Sequence, residues 1–79
     1  MKKYYAVINP KDFGVIFPDF LGCVSVGDNL DDAKIKAQEV LELHIQGMRE
    51  DGEELPTPKS FEEVKKEYPN QFYFMVEIC

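Results

Sequence analysis

The sequence is poor in basic residues. Nine Lys and Arg residues stand against fifteen Asp and Glu residues, which gives a net charge of −6. Direct nucleic-acid binding needs clustered Lys and Arg side chains for the phosphates, so this balance argues against it. An acidic surface instead suits a basic protein partner, or simply keeps the protein in solution.

Cysteines and long apolar runs are also scarce. Cys23 and Cys79 are the two cysteines of the chain, and so distant a pair is not a disulfide framework. Residues 1–5 begin with a basic pair but lead into no apolar stretch of the length that a signal peptide needs. Every apolar run is far too short to span a membrane. We therefore expect a reduced, cytoplasmic protein without membrane contact.

The length and the aromatic content predict one compact core. Seventy-nine residues leave no room for a second core. Hydrophobic residues make up 44% of the chain and include six Phe and four Tyr. Each buried ring removes roughly 150–250 Å² from water, so aromatic burial has to supply much of the stability. We expect residues 1–79 to form a single globular domain.

Three short segments at the start of the chain predict a β-meander. Residues 3–9 and 13–17 are rich in aromatic and β-branched types, and a turn containing Pro10 separates them. Residues 23–26 continue as a third strand after a loop at 18–22. Connections this short favour antiparallel pairing of successive strands.

The periodicity then changes to that of a long helix. Asp28 or Asn29 can cap its start, and Gly52 is the expected stop. The apolar stripe consists of residues 30, 33, 37, 40, 41, 44 and 48. Three further apolar residues lie off this stripe: Ile35, Leu43 and Ile45. A helix with one buried face does not need them, so they predict a second contact surface.

The end of the chain completes an α+β fold. Ser60 and Glu63 have the spacing of a capping box, which opens a short helix to about Tyr68. Residues 71–78 alternate as a final strand. The expected architecture is a three-stranded antiparallel meander, a long helix on one face, a short helix and a fourth strand.

The segment from the second strand into the long helix resembles the signature of HicB antitoxins. Residues 12–28 read Asp-Phe-Gly-Val-Ile-Phe-Pro-Asp-Phe-Leu-Gly-Cys-Val-Ser-Val-Gly-Asp. The signature combines an aromatic-Pro-Asp step, a Pro-Gly-Cys triplet and a small-polar-x-Gly-Asp step that enters a helix. The leading strand, residues 50–58 and the last strand also match. Leu21 departs from the pattern, because the family usually has proline there.

The resemblance implies both a fold and a partner. HicB chains have a partial RNase H-like βββαβ core that occludes the RNA-cleaving surface of HicA, a small basic toxin. Most also carry a C-terminal ribbon-helix-helix or helix-turn-helix domain that binds operator DNA. This sequence ends at Cys79, on the last core strand. We expect a short single-domain member or a truncated form, without operator binding by these residues.

Two segments are candidate contacts for a basic toxin. Asp19, Phe20 and Leu21 form a loop tip whose apolar side chains either tuck into the core or anchor a partner. The densest negative run consists of Glu50, Asp51, Glu53 and Glu54. Such a run is usually a solvated segment, and the sharper interpretation is a contact for a basic surface.

Catalytic and metal-binding interpretations find little support. Strand residues 4–8 lack the carboxylate that two-metal RNA cleavage needs, and residues 28–32 lack the ligand spacing of a calcium loop. Cys23 is expected in a buried strand and His44 at a core or boundary position of the helix, and two Cys and one His without close spacing are not a zinc site. We therefore expect no enzyme, no cofactor and no metal.

An alternative is an orphan HicB-like module with a different partner, or one that assembles with itself. Residues 72–78 form an apolar edge that can pair across a two-fold axis. We accordingly expect a homo-oligomer, either a dimer or a tetramer.

Overall fold

The computed structural model describes residues 2–78, which form one four-stranded sheet with a helix packed on each face. The strands are β1 (Lys2–Ile8), β2 (Gly14–Ile16), β3 (Val24–Val26) and β4 (Phe72–Ile78). The helices α1 (Leu30–Glu50) and α2 (Phe61–Glu67) lie between β3 and β4 in the chain. The sheet order is β3-β2-β1-β4, with every neighbouring pair antiparallel. The predicted α+β fold is confirmed.

The main core lies between α1 and one face of the sheet. Alternate residues of β1, namely Tyr4, Ala6 and Ile8, point to this face and are fully buried. The helix meets them with a row of residues at a spacing of four: Ala33, Ala37, Leu41 and Ile45. Small side chains at the first two positions let the start of α1 approach the sheet closely.

The stripe predicted for α1 was wrong at one position. Ile45 is 2% exposed and belongs to the core, because the row that faces the sheet advances by four residues at each step. Residues 44 and 48 lie at the edge of this row and are half-buried. The other two off-stripe residues, Ile35 and Leu43, are 58% and 70% exposed. These two side chains are therefore open to solvent, and a second contact surface on α1 stays a prediction.

The opposite face of the sheet is covered only in part. Phe61 of α2 packs its ring between those of Tyr5 and Tyr73, at centroid distances of 5.6 and 5.3 Å. Towards β3 this face stays open, and Val24 and Val26 are more than half exposed there. Neither α1 nor α2 has the length and apolar character that crossing a bilayer requires.

Hydrogen bonds at both ends of α1 fix its length. The Asn29 side chain accepts from the Asp32 N–H at 2.8 Å, which decides between the two predicted caps. At the other end Gly52 has a φ of 73°, and the Glu53 N–H donates to the Met48 carbonyl at 2.9 Å. This is a Schellman motif, which sets the direction in which the acidic segment leaves the helix.

Residues 53–60 form a strap without regular structure, and side chains tie it to the sheet and to the loop at 18–22. The Tyr4 hydroxyl donates to the Pro56 carbonyl at 2.7 Å. The Lys59 ammonium lies 3.5 Å from the Asp19 carboxylate, whose side chain is only 3% exposed. The Lys59 N–H also donates to Asp19, at 3.4 Å. The strap therefore holds the loop in place.

Candidate partner-binding surface

The loop between β2 and β3 turns one apolar side chain inward and the next one outward. Phe20 is 4% exposed, whereas Leu21 is 96% exposed. Backbone hydrogen bonds hold this arrangement, since the Phe20 N–H donates to Phe17 and the Cys23 N–H donates to Phe20. Gly22 has a φ of 81°, a conformation that glycine adopts without strain. The loop therefore presents Leu21 to solvent.

Phe20, the neighbour of Leu21 in the loop, is a core residue. Its ring makes an edge-on contact with Tyr4 at 4.7 Å and a second one with His44 at 5.6 Å. The Asp19 side chain is also covered, in its ion pair with Lys59. Both side chains are thus removed from the surface, so the prediction that this loop tip binds a partner now depends on Leu21.

Leu21 lies in a shallow depression that it shares with the second half of α1. We call this surface the Leu21 patch and define it by residues Leu21, Leu43, His44, Met48, Asp51 and Glu53. Leu43 joins it from the exposed side of α1. The half-buried side chains of residues 44 and 48 form the floor. The centre of the patch thus consists of three apolar side chains, those of Leu21, Leu43 and Met48, beside the His44 imidazole, and it is open to solvent.

Carboxylates rim one end of this apolar centre. Asp51 and Glu53 are exposed, and the C-terminal cap of α1 fixes the backbone of both. Two of the four predicted acidic contacts therefore lie beside Leu21, although some thirty residues separate them from it in the chain. Glu50 instead lines a groove on the other side of α1, and Glu54 is exposed outside the patch.

Three residues of the patch were absent from the predicted contacts. Leu43 had a usable signal, because it lies off the apolar stripe of α1. His44 and Met48 gave no such signal, since both fit the apolar stripe, and His44 was interpreted as a core or boundary residue. A boundary position and a core position look the same in the periodicity of a single helix.

Two kinds of reactive site were considered in the described part of the chain: a nucleophilic thiol and a metal-binding cluster. Cys23 is 1% exposed, and burial raises the pKa of its thiol to about 11. Such a thiol stays protonated at neutral pH and is a poor nucleophile. Within residues 2–78, no three His, Cys, Asp or Glu side chains are grouped to hold a metal ion.

Comparison with known proteins gives one relative by sequence. The chain is 39% identical over 66 residues to an uncharacterized 14.9 kDa protein in the rep-hol intergenic region of Haemophilus phage HP1. The matched part covers 81% of this chain and 50% of that protein, so the chain spans about half the length of this curated relative.

Solved structures match the fold closely. The N-terminal domain of the Burkholderia pseudomallei antitoxin HicB superposes with a TM-score of 0.83 at 29% identity, covering 98% of each chain. Full-length HicB from the same organism gives a TM-score of 0.80 at 30% identity, and 64% of its chain is covered. A chain of a HicA3 and HicB3 toxin–antitoxin complex gives 0.68 at 27% identity, covering 98% of both chains.

A family profile covers nearly the whole chain. It matches residues 4–79 and is described as the HicB-like antitoxin of bacterial toxin–antitoxin systems. The profile match, together with the structural likeness to HicB N-terminal domains, shows that this chain belongs to the HicB-like antitoxin family.

Proposed function

We propose that this domain neutralises a HicA-like toxin by docking through the Leu21 patch and covering the surface with which the toxin cleaves RNA. The observation that carries the proposal is an exposed apolar centre rimmed by carboxylates. Membership of an antitoxin family and the existence of a HicA3–HicB3 complex support a toxin as the partner.

The apolar centre supplies the affinity in this proposal. A single exposed leucine is ordinary on a protein surface. Here Leu21 and Leu43 line the same depression and are 96% and 70% exposed, and its other apolar lining is half-buried. Full burial of a leucine side chain contributes about 1.5–3 kcal/mol. Covering both leucines in an interface therefore supplies affinity through the apolar area that it removes from water.

The acidic rim favours a basic partner in this proposal. The toxin of this proposal is basic, and the chain carries a net charge of −6. Asp51 and Glu53 bring part of that charge to the edge of the apolar centre. Complementary charges at a rim speed the encounter and disfavour partners of like charge.

The proposed mechanism is steric occlusion in the cytoplasm. It needs no catalytic group, cofactor or metal from this chain, because a toxin whose active surface is covered cannot reach its RNA substrate. It also needs no operator binding by residues 1–79.

The test uses a small basic HicA-like protein, which is to be sought in the reading frame adjacent to that of this chain. The two proteins are coexpressed, copurified and assayed for RNA cleavage, and we expect binding and protection of the RNA. Leu21→Asp or Leu43→Asp should each weaken binding roughly 10- to 100-fold, because a charge enters the apolar centre. Ile35→Asp is the matched control, two turns away on α1 and also exposed, and should bind like the wild type.

Two results would contradict the proposal. The first is a folded domain that neither binds the basic protein nor protects RNA from it. The second is an Ile35→Asp variant that loses as much affinity as the two patch variants, which would move the docking surface elsewhere on α1.

A further inference from the structure

One lysine of the strap makes several contacts with the loop that carries Leu21. The Lys59 ammonium lies 3.5 Å from the Asp19 carboxylate and donates to the Pro18 carbonyl at 3.3 Å. The backbone N–H of Lys59 donates to the same carboxylate at 3.4 Å. A single residue is thus joined three times to two consecutive loop residues, which lie forty and forty-one positions away in the chain.

Burial makes the Asp19 carboxylate dependent on this lysine. The side chain of Asp19 is 3% exposed, whereas that of Lys59 is 34% exposed. An ion pair in solvent contributes little to stability, but removing one member of a covered pair leaves a charge without its counter-charge. Without the ammonium group, we expect the carboxylate to turn towards water. Asp19 lies two residues before Leu21, so this turn displaces the loop.

The strap also reaches the loop through Tyr4. The Tyr4 hydroxyl donates to the Pro56 carbonyl at 2.7 Å, and the Tyr4 ring contacts the ring of Phe20 at a centroid distance of 4.7 Å. The two residues that precede Leu21 are therefore both joined to the strap, one through Lys59 and the other through Tyr4. The strap itself begins at Glu53, which belongs to the Leu21 patch.

We propose that Lys59 is a positioning residue for toxin docking. Its ion pair with Asp19 holds the loop at 18–22 in the conformation that presents Leu21, so the Leu21 patch is formed before the toxin arrives. Lys59 does not line the patch. The inference rests on the proposed docking, and it adds a residue that controls the site from outside.

A loop that is ordered in advance binds more tightly, because docking does not have to order it. A loop that samples several conformations presents the competent one for only a fraction of the time. The apparent dissociation constant then rises in inverse proportion to that fraction. The contacts within the complex stay the same, so the association rate should change and the dissociation rate should not.

Charge and loop order predict opposite effects of removing the ammonium group. Lys59→Met takes one positive charge from a chain of net charge −6. By charge alone, this change should speed the encounter with a basic toxin. Loss of loop order should slow it. The sign of the change in association rate therefore separates a positioning role from an effect of net charge.

Amide hydrogen exchange of the free domain, resolved by NMR, tests whether Lys59 holds the loop. The Phe20 N–H donates to the Phe17 carbonyl, and the Cys23 N–H donates to the Phe20 carbonyl, so both amides report on loop order. Lys59→Met should speed their exchange at least about tenfold, while the amides of β1 keep their wild-type rates. Lys59→Arg keeps a cation at this position and should exchange like the wild type.

Stopped-flow mixing with the small basic HicA-like protein tests whether this order matters for docking. Lys59→Met should lower the association rate constant roughly tenfold and leave the dissociation rate constant nearly unchanged. Lys36→Met is the matched control, because it removes the same charge from another ion pair with an N–O distance of 3.5 Å, that with Asp32 on α1. It should not slow association, and Lys59→Arg should bind like the wild type.

Circular dichroism checks that each variant is folded. Asp19→Asn removes the ion pair without leaving a charge in the core, so it should speed exchange of the same two amides even where Lys59→Met does not fold. Wild-type exchange of these amides in either folded variant overturns the inference, as does association of Lys59→Met that is no slower than that of Lys36→Met. Exchange is measured without toxin, so a wild type that binds no toxin contradicts the proposed docking and leaves the hold on the loop to be decided by exchange.

Discussion

Gly27 lies where β3 meets α1, and no larger residue fits there. A Cβ atom at this position would lie 2.4 Å from the Ala33 nitrogen and 2.6 Å from its Cα. Both are backbone atoms of the first turn of the helix, so neither can move aside as a flexible side chain would. The close approach of helix and strand therefore depends on a missing side chain.

We expect Gly27→Ala to lower the free energy of unfolding by about 1–3 kcal/mol, because the helix has to shift away from the sheet. Urea denaturation measures the change. Gly47→Ala is the control, since a methyl group there would meet no atom within 4 Å. It should stabilise the helix by about 0.5–1 kcal/mol. An unchanged stability of Gly27→Ala would contradict the close approach.

Burial protects the thiol of Cys23. The side chain is 1% exposed, and its thiol donates to the Val40 carbonyl with a sulfur–oxygen distance of 3.8 Å. Burial also raises the pKa of the thiol to about 11, so the reactive thiolate is scarce at neutral pH.

We expect Cys23 to resist iodoacetamide in the native protein at neutral pH. The measurement uses a Cys79→Ser variant, in which Cys23 is the only cysteine, and mass spectrometry follows the labelling. The same variant in urea should label rapidly, which serves as its control. Equal rates in the two states would show that the thiol is open to solvent in the native fold.

Each helix begins with a side chain that satisfies free backbone donors. In α2 the Ser60 N–H donates to the Glu63 carboxylate at 3.0 Å, and the Glu63 N–H donates to the Ser60 hydroxyl at 3.2 Å. The hydrogen bond from the Ser60 backbone, followed by that from its side chain, lowers the pKa of Glu63 from its ordinary value of 4.5. In α1 the Asp28 N–H likewise lowers the pKa of Asp32.

The capping box of α2 gives a pH dependence with a definite sign. Because the pKa of Glu63 is lower in the folded state, its contribution to stability is present above about pH 4.5 and is lost as the pH falls through the folded value. Wild type should therefore be more stable than Glu63→Gln at neutral pH, and the difference should shrink on acidification. Thermal melts at a series of pH values measure it.

Ser60→Ala is the control for this pH dependence. It keeps the backbone N–H that is the main cause of the lowered pKa, so most of the pH dependence should remain. A difference between wild type and Glu63→Gln that stays constant with pH would contradict the assigned hydrogen bond.

Across the molecule as a whole, the features that depend on residues close together in the chain could be predicted from the sequence. The strands, both helices and the Ser60 capping box follow from residues a few positions apart. The ion pair between Lys59 and Asp19 does not, since forty residues separate its members. The burial of Phe20 and the exposure of Leu21 also depend on where α1 and the strap lie. Contacts of this kind become visible only when the topology is known.

The candidate site was predictable in part for the same reason. Leu21, Asp51 and Glu53 were each identified from local composition, as a loop tip and an acidic run. Their meeting in one patch depends on the course of α1 beside β3, which brings the helix end back to the loop. Whether the patch binds a toxin stays a prediction.

The net charge predicts how binding responds to salt. Salt screens charges beyond about 8 Å at physiological ionic strength, so it weakens the long-range attraction of a basic toxin to a chain of net charge −6. We expect the association rate to fall as sodium chloride increases, with a smaller change in the dissociation rate. Stopped-flow mixing measures both rates.

Removing the acidic rim should make the association rate less dependent on sodium chloride. A double variant, Asp51→Asn with Glu53→Gln, keeps the shape of the patch and should show a smaller loss of association rate with salt. An association rate that is independent of salt in the wild type would contradict steering by charge.

The short third strand protects one edge of the sheet. An edge of three residues offers few free main-chain groups to a strand from another chain, and natural sheets use such short edges to avoid aggregation. Val24 and Val26 can therefore stay open to solvent at this edge, although both are apolar, without making it a template for a foreign strand.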